Sequence, residues 1–426
     1  MDPQEVPSKA EIKKTKKEIE SLEKELVAAE SVVANLKRMI LERRAYIAPI
    51  RTLPYEIISG IFVDMCRKNP LAPLLLQSVC RTWRAVILNT PLCWSFIPNY
   101  GFCDEGYDLT CAYLDRSGNA GLHLSVPNHS SPEAISKLQN LGERIQCIQG
   151  HPEIIAPMIF SLPAFSSLEK ISIYILPRRR ITRKEPATEW NMGNFPKLRC
   201  LCISMQDECI TSIAASIEFP PLTELMVKCN DLSPMNLILS KCSQSIRYVH
   251  LDYDECSTKD NEEALQSFPN LQFLRLVKRS KRNSPAWRFK GLTPRLKLYS
   301  EEGFTGARID IDNLVFLGID RKINLSPYSR IERLYLDLYV PHLLDIAREL
   351  HDHSELCPRL TLITYARKTD TYQYISDATE LLKRRAEITG VKVKIVEVTN
   401  EYRLLDALED MIEVCYFRFF DESFKS

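Results

Sequence analysis

The stretch Phe195-Pro196-Lys197-Leu198-Arg199-Cys200-Leu201-Cys202-Ile203 contains the pattern that decides the fold of this 426-residue chain. Its apolar residues Leu198, Leu201 and Ile203 have the spacing L-x-x-L-x-L. The final L-x-L places apolar residues at every second position, which is typical of a β-strand with one buried face. The same spacing recurs at Leu168/Ile171/Ile173, Leu222/Leu225/Val227, Ile246/Val249/Leu251, Leu271/Leu274/Leu276, Leu314/Leu317/Ile319 and Ile331/Leu334/Leu336. The sequence therefore predicts an array of similar units.

The copies from Leu168 to Leu271 are 30, 24, 24 and 25 residues apart. Helix-like stretches lie between copies, at Glu208–Ile217, Met235–Cys242 and Asn261–Phe268. One strand and one helix every ~20–29 residues is the leucine-rich-repeat pattern, in which each unit buries its apolar face against its neighbours. We expect an α/β fold: an irregular, ribonuclease-inhibitor-like leucine-rich-repeat solenoid over residues 161–370, with connecting or atypical first repeats over 98–160.

Two features extend this array. The interval from Leu271 to Leu314 is 43 residues, which predicts a degenerate copy around Leu296–Leu298. After the array, the pattern predicts a helix at Thr371–Ile388, a strand at Val391–Val398 and a last helix from Glu401 that ends in an aromatic run. We expect residues 371–426 to form a C-terminal helical cap over the open end of the array.

The N-terminal region has a heptad repeat over residues 9–48, after a tail at 1–8 that we expect to be disordered. Apolar residues occur every seventh position without a break, at Ile12, Ile19, Leu26, Val33, Ile40 and Ile47, and charged residues flank them. Such a sequence predicts a long helix that buries a narrow seam against another helix. The partner is either a second copy of the chain, giving a homodimer, or another part of the same chain.

Residues 49–97 predict a small helical module. A helix follows Pro54, a second helix runs from about Pro73 to Leu88, and a short third turn begins at Thr90-Pro91. Three short helices in so few residues bury little core. A module of this kind leaves apolar surface for a partner or for the neighbouring domain.

Three segments of this module resemble the F-box domain, in the order and at the distances that the domain requires. They are Pro-Ile-Arg-Thr-Leu-Pro-Tyr-Glu-Ile-Ile-Ser-Gly-Ile-Phe at 49–62, Leu-Leu-Leu-Gln-Ser-Val-Cys-Arg-Thr-Trp-Arg-Ala-Val at 74–86 and Asn-Thr-Pro-Leu-Cys-Trp-Ser at 89–95. With the preceding heptad helix, the chain resembles the F-box-like proteins abundant in mushroom-forming fungi. One departure is Cys93, where leucine commonly precedes the tryptophan. The repeats resemble this family only in their general pattern.

The resemblance implies that the module docks on the Skp-family adaptor of a cullin–RING (SCF) ubiquitin ligase. The residues that it assigns partly to this interface and partly to the core are Leu53, Pro54, Ile57, Ile61, Phe62, Leu75, Val79 and Trp83. Leu53 and Pro54, at the start of the first helix, are assigned more to the interface. The chain would then be a non-enzymatic substrate receptor for proteins. The alternative is a non-ligase scaffold that dimerises through residues 9–48.

Composition excludes several other classes of function. The formal net charge is +1, so the chain has no overall field that would attract nucleic acid or an anionic membrane. No run is long and apolar enough for a transmembrane helix, and the N-terminus lacks a signal-peptide core. The 14 cysteines are scattered and include no CxxC pair, which indicates a reducing compartment, the cytoplasm or the nucleus.

No motif indicates catalysis, a metal or a cofactor. His351 and His353 lack a second pair of ligands at a recognised spacing, and there is no phosphate-binding loop, GxSxG or dinucleotide motif. Cys200 and Cys202 lie on the same side of a predicted strand, where a role in the core or lining is favoured over a catalytic thiol.

One basic stretch, residues 278–297, contains eight Lys or Arg residues and no acid. Its candidate substrate-binding residues are Arg279, Arg282, Trp287 and Arg288, because arginine clusters bind phosphate or carboxylate groups. A solvated loop or a nuclear-import signal would have the same composition. Nucleic-acid binding would require the basic residues to continue along one face.

Overall fold

The computed structural model describes residues 8–98, 107–126, 141–151, 155, 165–174, 195–204, 207–215, 219–231, 235–255, 266–278, 291–302, 309, 311–320, 323–336, 341–366 and 372–398. Over these residues the protein is a mixed α/β structure. A long N-terminal helix is followed by a helical module and then by a thirteen-stranded parallel sheet.

The α-helices among the described residues are α1 (Lys9–Tyr46), α2 (Tyr55–Lys68), α3 (Ala72–Val79), α4 (Arg81–Leu88), α5 (Tyr107–Ser117), α6 (Asp207–Ala215), α7 (Met235–Cys242), α8 (Pro341–Asp352) and α9 (Tyr372–Thr389). Three 3-10 turns are Pro49–Thr52, Pro91–Trp94 and Gly142–Arg144. None of these helices is long and apolar enough to cross a membrane.

The strands are β1 (Phe96–Ile97), β2 (Leu122–Val126), β3 (Ile145–Gly150), β4 (Lys170–Tyr174), β5 (Cys200–Ser204), β6 (Glu224–Asp231), β7 (Tyr248–Glu255), β8 (Gln266–Ser267), β9 (Phe273–Lys278), β10 (Gly291–Leu292), β11 (Leu298–Glu302), β12 (Phe316–Ile319), β13 (Arg333–Leu336), β14 (Leu362–Ala366) and β15 (Lys394–Val398). Strand order in the large sheet follows chain order, so β1 and β15 lie at its two ends. The short strands β8 and β10 pair separately.

The sheet forms because its apolar residues align from strand to strand. Ile171 on β4 lies beside Leu201 on β5, which lies beside Leu225 on β6 and then Val249 on β7. These side chains are buried, and each belongs to the same apolar core. The L-x-x-L-x-L spacing thus supplies one face of every strand to the core, as alternation along a strand requires.

The backbone repeats one further contact at the start of each strand. The carbonyl of Arg199 accepts from the N–H groups of Thr223 (2.8 Å) and Glu224 (2.9 Å). The carbonyl of Thr223 accepts in turn from Arg247 (2.8 Å) and Tyr248 (3.0 Å). Each strand therefore begins in step with the preceding one, which keeps the apolar side chains aligned.

Side chains join the turns that precede four of the later strands. The Nδ2 group of Asn270 donates to the carbonyl of Gln244 (2.8 Å), and Arg295 donates to the Asn270 Oδ1 atom (3.0 Å). Two turns further on, Asn313 donates to the carbonyl of Pro294 (2.8 Å), and Arg330 donates to the Asn313 Oδ1 atom (2.8 Å). These four side chains form a turn ladder that ties successive units together.

Predicted elements in the array agree well with the structure. Helices α6 and α7 match Glu208–Ile217 and Met235–Cys242, and β11 supplies the degenerate copy expected near Leu296. At the third predicted helix, Asn261–Phe268, residues 261–265 lie outside the described residues and Gln266–Ser267 form β8. These two residues form a strand because they pair with β10.

The C-terminal helix and strand were also predicted correctly, as α9 and β15. The last predicted helix, from Glu401, lies outside the described residues. Buried Arg385 on α9 donates through Nη2 to the carbonyls of Leu356 (2.7 Å) and Cys357 (3.1 Å), just after α8. This contact fixes α9 against the turn that precedes β14.

The helical module differs from the prediction at one point, because the second helix is divided into α3 and α4 at Cys80. This residue has extended backbone angles (φ −159°, ψ 170°), and its Sγ atom accepts from the N–H of Trp83 at 3.5 Å. Cys80 therefore caps a new helix instead of continuing the old one.

Helix α1 is 38 residues long and begins with a capping box, in which Ser8 and Glu11 accept from each other's backbone N–H groups. None of its residues is buried. Its apolar seam makes no packed contact with the described remainder of the chain, so folding back onto that part is not observed.

Candidate functional site

The first two helices of the module carry apolar side chains on their outer sides. On α2, Ile57, Ile61 and Met65 follow each other at four-residue spacing with exposed fractions of 52%, 40% and 44%. On α3, Leu75 and Val79 have the same spacing and are 63% and 59% exposed. We name these five residues the outer stripe. Exposed apolar residues at helical spacing on a packed module are typical of an interaction surface.

The neighbouring faces of the same helices, one residue further along the chain, form the core of the module. Ile58, Phe62 and Cys66 of α2 are buried, as are Leu76 of α3 and Ile87 of α4. Helix α2 thus has two neighbouring apolar faces, although a single core explains only one of them. The second apolar side is available to a partner.

The structure separates the eight predicted docking residues into three groups. Exposed residues are Pro54, Ile57, Ile61, Leu75 and Val79, and half-buried residues are Leu53 and Trp83. Phe62 is fully buried, and its ring contacts the Trp83 ring edge-on at 4.9 Å between centroids. Phe62 therefore supports Trp83 from within the core and offers no surface of its own.

Polar contacts hold the module in one shape. The Tyr55 hydroxyl lies 3.1 Å from both the carbonyl of Asn89 and the hydroxyl of Thr90, which joins the start of α2 to the end of α4. The Arg84 Nε group donates to the carbonyl of Gln77 at 3.0 Å, across the break between α3 and α4. The helices that carry the outer stripe are therefore fixed relative to one another.

The module is also fixed to the sheet through Trp94. This side chain is fully buried, and its Nε1 group donates to the carbonyl of Ile87 at 2.9 Å. The Tyr113 ring of α5 lies edge-on at 5.1 Å, and the Arg116 guanidinium lies 4.4 Å from the Trp94 ring centroid. Phe96 follows as the first residue of β1. The chain thus passes from the module into the sheet without a linker.

A second candidate group of side chains lies on the sheet face that points away from the core. In register across β3 to β6 stand Cys147, Lys170, Cys200 and Glu224, which we name the thiol–lysine row. Lys170 and Cys200 are buried, and the sulfur atoms of Cys200 and Cys202 are 3.7 Å apart. A lysine at such a position is uncommon, because burying an ammonium group is costly without a nearby anion.

Burial and neighbouring charges shift the pKa values in this row and that of Cys202, which lies beside it. Burial raises the pKa of Cys147 to about 11, and it also raises the pKa of Glu224. The pKa of the Cys202 thiol is lowered by the hydrogen bond with Cys200 and, after the opposing effect of burial, by the Lys170 charge. Burial thus favours the neutral forms of Cys147 and Glu224, whereas Cys202 is shifted towards its thiolate form.

The next row on this face is polar as well. It contains Ser172, Cys202, Met226, His250 and Arg275, in register from β4 to β9. Burial, together with the charges of Arg275 and Lys228, lowers the pKa of His250 well below its usual range. Lys228 and Asp252 form an ion pair at 3.9 Å beyond this row.

Sequence reasoning did not identify these two rows as a site. The residues of both rows occupy the x positions of the L-x-x-L-x-L pattern. Aligning the copies of this pattern in the sequence places Lys170, Cys200 and Glu224 side by side. The predicted substrate-binding residues Arg279, Arg282, Trp287 and Arg288 lie outside the described residues.

A cleft lies at the C-terminal end of the sheet, with a volume of about 710 Å³. It is bounded by α9 and the last two strands, and it is lined by Tyr365, Ile375, Leu382, Val393 and Ile395 together with three charged side chains. Within the part of the chain that the structure covers, no group of three or more His, Cys, Asp and Glu side chains is placed to hold a metal ion. Ten of the cysteines in this part of the chain are free thiols.

No family model matches the chain, and no curated protein matches its sequence.

Proposed function

We propose that the chain is an F-box-type substrate receptor that docks through its helical module on the Skp-family adaptor of a cullin–RING ubiquitin ligase. The observation that carries this proposal is the outer stripe, which exposes five apolar side chains on a module whose sequence resembles the F-box. Exposed apolar side chains of this kind are the ones that a partner buries at the centre of a protein interface.

The proposed receptor performs no chemistry itself. Its part is to hold a protein substrate near the ubiquitin-loaded subunit of the ligase, which raises the effective concentration of substrate lysines there. The fixed joint around Trp94 supports this role, because a rigid connection limits the positions that a bound substrate can take. The compartment that we propose is the cytoplasm or the nucleus.

We also propose that the parallel sheet belongs to a leucine-rich-repeat solenoid that presents the substrate. Three observations support this: strand order equals chain order, successive strands stay in register, and the turn ladder recurs between units. Arg279, Arg282, Trp287 and Arg288 remain candidates for binding an acidic or phosphorylated substrate.

Binding of the full-length chain to a purified Skp-family adaptor tests the proposed docking. We expect the wild-type chain to bind and the Ile57→Asp plus Leu75→Asp variant to lose at least tenfold in affinity, because a buried unpaired carboxylate is costly. The control is Leu237→Asp on α7, which replaces another exposed leucine (48%, against 52% for Ile57 and 63% for Leu75) away from the module. These positions are better probes than Leu53, whose half-buried side chain also supports the core.

A folded wild-type chain that does not bind the adaptor would contradict the proposal. It would favour the second candidate, a non-ligase scaffold, for which the exposed seam of α1 is the supporting observation. Equal binding by the wild type and the Ile57→Asp plus Leu75→Asp variant would move the docking surface elsewhere.

A further inference from the structure

Helix α1 presents an apolar seam that nothing in the described chain covers. Its length of 38 residues corresponds to about 57 Å at 1.5 Å per residue. Along it, Ile19, Leu22, Leu26, Val33, Leu36 and Ile40 are 48%, 63%, 59%, 49%, 53% and 53% exposed. A solvated helix with such a stripe gains stability when the stripe is buried against another helix.

The seam residues indicate how many helices associate. Counting Ile12 as position a, five of the six a positions are β-branched, namely Ile12, Ile19, Val33, Ile40 and Ile47. Leucine occupies the d positions at Leu22 and Leu36. β-Branched residues at a with leucine at d favour a parallel two-stranded coiled coil.

The charged flanks favour the same orientation. In an antiparallel pair centred on the helix, position e faces position e, so Lys16 would meet Lys37 and Glu23 would meet Glu30. In a parallel pair, Glu11 at g faces Lys16 at e of the other helix, which is attractive. Two acidic pairs, Glu18 with Glu23 and Glu25 with Glu30, oppose this weakly at the exposed flank.

The second half of the helix adds apolar surface beside the parallel seam. The g positions there are Val32, Met39 and Tyr46, and the e positions that they meet in a parallel pair include Lys37 and Arg44. The methylene stems of lysine and arginine pack well along apolar side chains. In an identical helix aligned in register, the seam therefore meets the same seam, and the apolar g residues of each copy pack against Lys37 and Arg44 of the other.

We propose that α1 forms a parallel, two-stranded coiled coil with α1 of a second copy of this chain. Two polar residues, Thr15 and Arg43, occupy d positions near the two ends of the seam, so its apolar part lies between them in both copies. The partner is therefore another molecule of the same protein, aligned residue by residue.

The parallel arrangement has a consequence that rests on the proposed function. Helix α1 ends at Tyr46, and the first 3-10 turn of the helical module begins at Pro49. Two parallel helices would therefore place both modules at the same end of the coiled coil. The dimer would carry two adaptor-docking surfaces side by side and would bind a substrate with two recognition elements more tightly than one copy does.

The molar mass of the full-length chain in solution, measured by light scattering, tests this inference. We expect two chains for the wild type and one chain for Leu22→Asp plus Leu36→Asp, which puts four carboxylates into the seam of a dimer. The matched control is Ser21→Asp plus Ser31→Asp, which adds the same charge to the outer side of the helix and should leave two chains. A monomeric wild type, or a dimeric seam variant, would overturn the proposal.

Cross-linking determines the orientation. A Leu22→Cys chain should form a disulfide between equivalent residues under mild oxidation, because position 22 meets itself only when the helices are parallel. Ser31→Cys on the outer side is the control, and the wild-type chain gives the background from exposed Cys80. A dimer without the Leu22→Cys cross-link would overturn the parallel arrangement. Adaptor binding is also measured for the Leu22→Asp plus Leu36→Asp variant. This measurement distinguishes a failure of the proposed dimer from a failure of the proposed docking, because docking does not require the coiled coil.

Discussion

His123 shows how the junction between the module and the sheet depends on one protonation state. Its ring stacks on Phe96 of β1 with 4.7 Å between centroids. Burial, and then the positive charges of Arg67 and Lys170, lower its pKa to about 4. The folded protein therefore holds His123 neutral under conditions in which an unfolded chain begins to protonate it.

The stability of the protein should consequently fall as the solution becomes acidic. Between the unfolded pKa near 6.5 and the folded pKa near 4, the unfolded state binds the additional proton. His123 therefore contributes a loss of at most about 1.4 kcal/mol in the free energy of unfolding per pH unit over this window. Above pH 6.5 its contribution is constant.

The His123→Phe variant, which keeps an aromatic ring against Phe96, isolates this effect. Urea unfolding at a series of pH values should show a smaller acid dependence for the variant than for the wild type. Parallel curves for the two proteins across pH 4 to 6.5 would exclude His123 as the cause.

The sequence predicts which residues of the module are candidates for docking, because a motif selects them. It does not predict which of their side chains face the core, because packing determines that. The F-box resemblance selected Ile57, Ile61 and Phe62 together, and only the structure shows that Phe62 faces inward. A helix with apolar residues on both sides gives no sequence signal for which side the core takes. The direction was determined by α3, α4 and Trp83, whose placement depends on the complete module.

At the level of elements, the turn ladder connects units from β9 to β13, among whose described residues there is no helix. Asn313 is its most instructive member, because it donates to the carbonyl of Pro294 and accepts from Arg330. Both contacts join neighbouring turns across the array. They add polar contacts to turns whose apolar residues, such as Leu271, Leu296 and Leu314, are already buried.

We expect Asn313→Ala to lower the free energy of unfolding by about 1 kcal/mol, the usual net value of a hydrogen bond. Arg330→Ala should cost less, and the double variant should cost less than the sum of the two, because both singles remove the same contact. Lys197→Ala, at the matching position of an earlier turn, is the control and should change stability little. Strict additivity of Asn313→Ala and Arg330→Ala in urea unfolding would show that their contact contributes nothing.

The strands were predicted best where leucine, isoleucine or valine filled all three pattern positions. Strand β11 was harder to predict, because Leu296, Tyr299 and Glu301 occupy the three positions that are aliphatic in the other copies of the pattern. The Tyr299 hydroxyl donates to the buried Glu301 carboxylate at 2.7 Å, so a polar pair fills the space that two aliphatic side chains fill elsewhere. A pattern of apolar residues cannot reveal such a pair, and the long interval between copies was the only available sign.

On the scale of the whole molecule, the module and the sheet share one apolar core. This core runs from Ile58 in α2, through Trp94 and Tyr113, to Leu382 in α9. The sequence had suggested separate domains, because motif boundaries coincide with changes in pattern. Continuity could not be predicted, since it depends on Tyr113, which also donates to the carbonyl of Pro70 at 2.6 Å and belongs to no recognised motif.

We therefore expect the module and the first strands to unfold in one cooperative transition. Hydrogen exchange measured by mass spectrometry should show α2 and β2–β4 losing protection at the same urea concentration. Trp94→Ala should lower the free energy of unfolding by about 3–5 kcal/mol, because it removes a fully buried aromatic ring.

The neighbouring exposed residue provides the control, since Leu92→Ala should change the same quantity by less than about 0.5 kcal/mol. Loss of protection in α2 well before β2 would contradict a shared core. It would mean that the module opens independently and that the Trp94 contacts are weaker than their geometry indicates.

The passage of the chain from Trp94 directly into β1 limits how the protein can be divided. The two residues of β1 pair with His123 and Leu124 and so protect one edge of the sheet. A truncated chain that starts after Ile97 would leave the N–H and C=O groups of β2 unpaired beside Leu122 and Val126. Unprotected strands of this kind recruit other strands, so such a fragment is expected to aggregate. We therefore expect the sheet to stay in solution only when the module is kept with it.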